Sequence, residues 1–229
     1  MSLDGFSLDT TQLVALAGAL GWASGMRLYA VVFLTGLAGA LGWLPLPGGL
    51  QVLQREPLLW TSAVLLAIEF LADKIPVVDS IWDSVHTFIR IPAGAALAYS
   101  VFGVDHESWA VMAGLLGGTL AATAHTAKAV TRAAVNTSPE PFSNIALSLL
   151  GDATVPLLLW LATEHPVPFF IVLALLVLLA LVLIVLLAKF IKMLWRRLGR
   201  RRGDGVAVTT VSGALAPLPG RAADDALRR

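Results

Sequence analysis

Hydrophobic and polar positions in this chain alternate in long blocks. Six apolar stretches stand out, at roughly 12–42, 57–73, 88–103, 108–134, 142–163 and 167–195. A membrane-crossing helix needs about 20 residues, within a range of about 17–25. The pattern therefore predicts an all-α fold, a polytopic transmembrane helix bundle of about six spans with short or broken helices. The second and third stretches are short on that count, and a re-entrant pair is the alternative to two full spans. The first stretch is too long for one straight span. Its Ser24-Gly25 followed by Arg27 predicts a kink or unwound turn near mid-membrane. The last stretch is long, almost uninterrupted and ends in a basic run, as expected of a lipid-facing anchor.

The polar blocks carry the orientation signal, because Lys and Arg collect at the cytoplasmic ends of spans. The run WRRLGRRR, Trp195 to Arg202, places the C-terminus in the cytoplasm. Counting back, the segments Glu164–Pro168, Val104–Ser108 and Leu44–Pro57 fall outside. The segments Lys128–Phe142 and Asp73–Arg90 fall inside. Six crossings then put the N-terminus inside as well. The expected location is the cytoplasmic (inner) membrane.

A weak internal repeat underlies the blocks. In the first half a Gly-rich span carries Arg27, and the next span carries Glu69. In the second half GLLGGTLAATAHTAK carries His125 and Lys128, and LSLLGDATVP carries Asp152. Glu69 and Asp152 each fall about ten to twelve residues into their spans, which places both near the midplane at about 1.5 Å per residue. Three spans plus three spans gives oppositely oriented halves, the 3+3 inverted repeat of many secondary transporters.

Three polar constellations could carry chemistry. The most conspicuous lies in EFLADKIPVVDSIWDSVHTFIR, Glu69 to Arg90. Ionisable groups cost about 2.5–3.5 kcal/mol each at a helix centre in the bilayer, so such a stretch beside membrane spans marks a site. Glu69 and Asp73, spaced i, i+4, would share one helix face and hold a proton or a cation between them. The structural alternative pairs Glu69 with a cation such as Arg27 or Lys128. Asp79, Asp83, His86 and Arg90 fall on one helical stripe. Asp79, Asp83 and His86 suit a divalent metal, while the same stripe also suits the solvated face of an interfacial helix. Lys74 stands with this entrance group. His125, Lys128, Arg132 and Asn136 form a third, basic stripe. It either pairs with the acidic groups across the bundle or binds an anion such as a phosphate head group.

Composition narrows the classes. Of 229 residues 57% are hydrophobic and only 14% charged, against about 25% in soluble domains. Mean hydropathy is +0.80. The absence of cysteine excludes disulfides, thiol catalysis and cysteine-ligated metals. No broad basic surface with aromatic platforms is present, which argues against nucleic acid as a partner. Gly18, Gly21 and Gly25, with Gly114, Gly117 and Gly118, permit close helix contact, and a homo-oligomer stays open.

The stretches EFLADKIPVVDSIWDSVHTFIRIPAGA, AHTAKAVTRAAVNTSPEPFSN and GWASGMRLYA together resemble an uncharacterised bacterial membrane family, domain of unknown function 4126. The resemblance covers residues 10–165. It differs from the family pattern at Gly151-Asp152, where a Glu-Asp pair is usual, and at Arg90-Ile91-Pro92, where a basic residue directly precedes Pro. It implies a polytopic membrane protein and supplies no activity. On this division residues 1–165 form the membrane core, 166–202 an anchor helix with a basic cytoplasmic end, and 203–229 a disordered cytoplasmic tail.

The leading expectation is a small secondary transporter or channel-like protein moving a small ion or polar solute, coupled to a cation or proton. Arg27, Glu69, Asp73, His125, Lys128 and Asp152 would bind substrate or ion. Lys74, Asp79, Asp83, His86, Arg90, Arg132 and Asn136 would form the cytoplasmic entrance. One alternative is a metal-dependent intramembrane enzyme acting on a phosphorylated or diphosphate lipid, since Asp79-x-x-x-Asp83 is similar to one aspartate motif of intramembrane prenyl transferases. Another is a non-catalytic lipid-binding or assembly factor. The partners implied are the bilayer and a small ion, polar solute or anionic lipid head group.

Overall fold

The computed structural model describes residues 8–103, 106–135 and 142–203, apart from some side chains within helices, those of Asp79 and Asn144 among them. Every described element is a helix. In order these are α1 (Thr10–Ala40), a short 3-10 helix (Gly48–Gln54), α2 (Glu56–Ala72), α3 (Pro76–Phe102), α4 (Glu107–Val135), α5 (Phe142–Glu164) and α6 (Pro166–Gly203). The chain divides into compact units at residues 1–191 and 192–229, and the described part of the second is the end of α6. The expected tail, from residue 204 on, lies outside the described residues, as does Asn136. Among the described residues four helices, α1, α4, α5 and α6, are long and apolar enough to cross a membrane. α2 has only 17 residues.

Local chemistry sets the helix ends. Asp9 caps α1 through a reciprocal capping box. Its Oδ1 accepts from the Gln12 amide at 2.8 Å, and Gln12 Oε1 accepts from the Asp9 amide at 2.9 Å. Prolines open α2 and α3 in their first turns, where a missing N–H costs nothing. The sequence pattern separates an interfacial charged helix from a span beginning near residue 88. The structure joins them in one helix, α3, which runs through Pro92. Its charged first half and apolar second half are successive lengths of the same rod.

Glycine contacts fix the direction of each helix. Gly21 packs on Gly117, where an added Cβ would lie 2.6 Å from the Gly117 Cα, and Gly25 meets Ala121 and Ala124. The first half of α1 therefore runs parallel to α4. Gly94 faces both Ala121 and Gly21, and Gly114 faces Tyr99, so α3 is antiparallel to both. In the second half of α1, Gly36 meets Leu53 and Leu59, while Gly49 of the 3-10 helix meets Ser100 near the end of α3. A straight α1 would carry Gly36 about 22 Å past Gly21 along the axis, away from Ser100. The second half has instead returned toward the level from which the first half descended. The turn is at Arg27, whose backbone (φ −147°, ψ 80°) is non-helical. α1 is thus a re-entrant hairpin of two half-helices, residues 10–26 and 28–40.

This path revises the expected topology. Both ends of α1, the start of α2, the end of α3 and the start of α4 gather on one face. The end of α5 joins them, since Gln12 Nε2 donates to the Thr163 carbonyl at 2.7 Å. So does the start of α6, where Phe169 and Leu173 pack on Gly18. Exposed Trp43, Trp60, Trp109 and Trp160 mark this face, as aromatic side chains do at a bilayer interface. The six-span count treats α1 as a crossing, whereas its two halves run in opposite directions and end on one face of the bundle.

The Gly25 contact gives a direct test. Gly25→Val pushes a branched side chain into the Ala121 carbonyl, and overpacking of this kind costs about 1–3 kcal/mol. Thermal unfolding in detergent should show that loss, whereas Gly48→Ala, at a position with open space around it, should stay within about 0.5 kcal/mol of wild type.

Candidate functional site

The turn of α1 delivers a guanidinium into the centre of the bundle, and the neighbouring helices answer it with carboxylates. Arg27 is 1% exposed. Its Nη1 pairs with Asp73 at the C-cap of α2, and its Nη2 lies 2.9 Å from Asp152 Oδ1 on α5. Nη2 also donates to Ser148 Oγ at 2.8 Å and to the Ser148 carbonyl at 3.2 Å. Ser148 stands one helical turn before Asp152, so both face the same way.

From Asp73 the network continues without a break. Lys128 Nζ is 3.7 Å from Asp73 Oδ1 and 3.1 Å from Asp83 Oδ1, and Arg132 Nη2 is 3.3 Å from Asp73 Oδ2. Arg90 then links Asp83 to Glu69, at 2.6 Å from each. The connected order is Glu69–Arg90–Asp83–Lys128–Asp73–Arg27–Asp152, with Arg132 joined at Asp73. Four cations meet four carboxylates drawn from α1, α2, α3, α4 and α5. All except Asp152, whose side chain is 24% exposed, are buried. Pairing is what makes such burial tolerable, because an uncompensated charge in the interior costs about 3–5 kcal/mol.

The histidines attach to the network's edge in defined tautomers. Thr87 spends its one proton on the Asp83 carbonyl at 2.8 Å, so His125 Nε2 must donate to Thr87 Oγ1 at 2.7 Å. His125 Nδ1 is then an acceptor facing Arg90 Nη1 at 3.4 Å. His86 Nδ1 donates to the Trp82 carbonyl at 2.7 Å, and its Nε2 meets the Tyr29 hydroxyl at 3.0 Å. The His86 ring also stacks on Trp82. Among the described residues, five buried polar atoms, Thr35 Oγ1, Glu69 Oε2, Trp82 Nε1, Arg90 Nε and Asp152 Oδ2, make neither a hydrogen bond nor an ion pair. Water or a ligand is the usual complement of such groups.

The structure brings together most of the residues singled out in the sequence, in a different grouping. Glu69 and Asp73 share the end of α2 but serve different cations. Glu69 sits in the last turn of that helix rather than at mid-span, while Asp152 is central in α5. Arg90, placed in the entrance group by spacing alone, is fully buried at the heart of the network. Lys74 remains at the rim, donating to the Phe70 carbonyl at 3.1 Å. The side chain of Asp79 lies outside the described residues. Asp83 is held by two cations and His86 by Trp82 and Tyr29, so a metal would have to displace those partners. Among the described residues no group of three His, Asp or Glu side chains is placed to hold a metal ion. Ser148, Tyr29, Trp82 and Thr87 were not visible as partners in the sequence. Ser148 had one signal, its i, i+4 spacing to Asp152.

A family model described as a domain of unknown function (DUF4126) matches residues 14–186. The chain belongs to the DUF4126 family. The match runs past residue 165 and takes in much of α6, so the DUF4126 region is larger than the motif resemblance alone indicated. Together with the apolar helices, it marks the chain as a membrane protein of a family without assigned function. No curated protein and no solved structure matches it significantly.

The Glu69–Arg90 pair provides a test of the network. Glu69→Gln leaves Arg90 with one carboxylate and should destabilise the protein by about 3–5 kcal/mol. Adding Arg90→Met should cost less than the sum of the two single changes, a coupling that a double-mutant cycle in detergent measures.

Proposed function

We propose that this protein is a small secondary transporter of the cytoplasmic membrane, moving a small ion or polar solute in exchange with protons or a cation. One observation carries the reading. A re-entrant helix breaks at Arg27, and that residue bridges carboxylates from two other helices inside a closed charge network. Broken helices whose ends meet at buried polar groups are a common construction of transporter sites. Changing one charge, by protonation or by a bound ion, forces the remaining members to change partners, because none can stay unpaired at low dielectric. The break in α1 is a natural hinge for that exchange. Asp152, the most exposed member, is the point of access.

The path of the chain suggests five crossings, α2 to α6, beside the α1 hairpin. With the basic end of α6 in the cytoplasm, the tryptophan-rich face is outer and the N-terminal end of α1 lies on it, rather than inside. The repeat keeps some support as a relation between halves. Arg27 of the first half pairs with Asp152 of the second, and Lys128 of the second pairs with Asp73 of the first. The two Gly-rich helices also pack on each other. The metal-enzyme reading gains nothing from this geometry.

Two measurements test these statements. The chain lacks native cysteine, so single replacements report topology cleanly. Thr11→Cys and Gly48→Cys should react with an impermeant maleimide added to whole cells, and Lys189→Cys should not. Labelling of Thr11→Cys and Gly48→Cys from opposite sides would overturn the hairpin. For transport, proteoliposomes under imposed pH, Na⁺ or K⁺ gradients should show protein-dependent flux by an internal pH dye. Asp152→Asn should slow that flux about tenfold, the scale of about 1.4 kcal/mol on a barrier. Flux equal to that of empty liposomes under every gradient, or unchanged by Glu69→Gln with Asp152→Asn, would sink the proposal.

A further inference from the structure

A cavity of about 180 Å³ lies beside the charge network, between the turn of α1, the last turns of α4, the first half of α5 and the middle of α6. Its inner end presents Arg27, Lys128 and Arg132, all buried. Among the described residues that line it, none is acidic. Asp73, Asp83 and Asp152, which neutralise these cations, are not among the lining residues. The remaining wall is mostly apolar, with Trp22, Thr131 and Thr154 standing among aliphatic residues. Leu150 and Leu179 belong to it and are 65% and 53% exposed, so the cavity opens on the lipid-facing surface between α5 and α6.

A cationic inner end, an apolar barrel and an opening toward acyl chains specify one kind of occupant. We infer that the cavity binds an anionic amphiphile entering from the membrane, with its phosphate or carboxylate at Arg27, Lys128 and Arg132 and its hydrocarbon chain leaving past Leu150 and Leu179. Three arguments support this. A free inorganic anion would meet the cations but leave the apolar walls unfilled. A neutral lipid would fill the walls but add no charge-assisted contact to the cations, and charge-assisted hydrogen bonds are the stronger part of such recognition. The headgroup would also meet the network at its hub, since all three cations pair with Asp73. Binding would draw cations from Asp73 toward the ligand, linking occupancy to the pairing of Arg27 at the α1 turn. This inference requires the protein to be membrane-embedded but does not require it to transport, so the two can fail separately.

Gly151 gives access to the site from the wall of the cavity, beside Arg27. It lines the cavity, and a Cβ there would be 3.8 Å from both Arg27 Nε and Met26 Cε, an ordinary contact. Purified full-length protein in nanodiscs or detergent would be titrated with phosphatidic acid, phosphatidylglycerol, phosphatidylcholine, palmitate and inorganic phosphate, read by native mass spectrometry. The expected result is selective binding of the anionic amphiphiles over phosphatidylcholine. Gly151→Leu and, on α6, Ala180→Phe should each weaken it about tenfold with the thermal transition retained. Arg132→Gln should weaken it by a similar factor, the scale of one charge-assisted contact. Saturable binding of inorganic phosphate with no advantage from a chain would identify a free-anion site instead. Equal binding of phosphatidylcholine, or full anionic-lipid binding by a folded Gly151→Leu or Ala180→Phe protein, would overturn the proposal.

Discussion

A guanidinium inside a bilayer must be neutralised by its surroundings, and the architecture of this protein follows from how that is done for Arg27. The residue sits where α1 reverses, so the hairpin cannot close without delivering its charge to the interior. Asp73 at the end of α2 and Asp152 in the middle of α5 are brought to meet it. Asp73 in turn gathers Lys128 and Arg132 from α4, and Lys128 leads through Asp83 and Arg90 to Glu69. Apolar packing brings the helices together without fixing their depth, because lipid tails are as apolar as leucine. The ion pairs fix depth, since a slip of one turn separates partners by about 5 Å.

Much of this was legible in the chain. Blocks of apolar residues gave α1, α2, α4 and α5 to within a few positions, because a bilayer demands length and hydrophobicity and little else. Ser24-Gly25 ahead of a mid-span arginine gave the break, and the i, i+4 and i, i+7 stripes gave most of the buried charged residues. Three features were not legible. Hydrophobicity has no direction, so a hairpin and a crossing look alike, and only contacts such as Gly36 with Leu59 tell them apart. α3 looked like two elements because its composition changes at Arg90, while its backbone does not. Partner choice was hidden as well. Glu69 takes Arg90, 21 residues further on, where spacing alone also allowed Arg27 or Lys128.

The polar groups that complete the site share a logic. Ser148, Thr87 and Tyr29 are neutral and contribute hydrogen bonds without altering the charge balance. They hold the long cations and the imidazoles in one orientation, which ion pairing alone does not do. The network therefore has two layers, one that sets charge and one that sets geometry. Among the described residues that line the cavity at its edge, the charged ones are all cations of the first layer.

The re-entrant form of α1 also bears on how the protein is made. The hairpin is synthesised before its partners, and its arginine is satisfied by groups made much later, with Ser148 lying 121 residues downstream. A nascent α1 entering lipid alone would carry a naked charge, at a cost of about 2.5–3.5 kcal/mol. Its stable seat exists only once α4 and α5 have been threaded into place. The hairpin, made before α4 and α5, is thus the last to settle, and it closes the bundle as a keystone closes an arch.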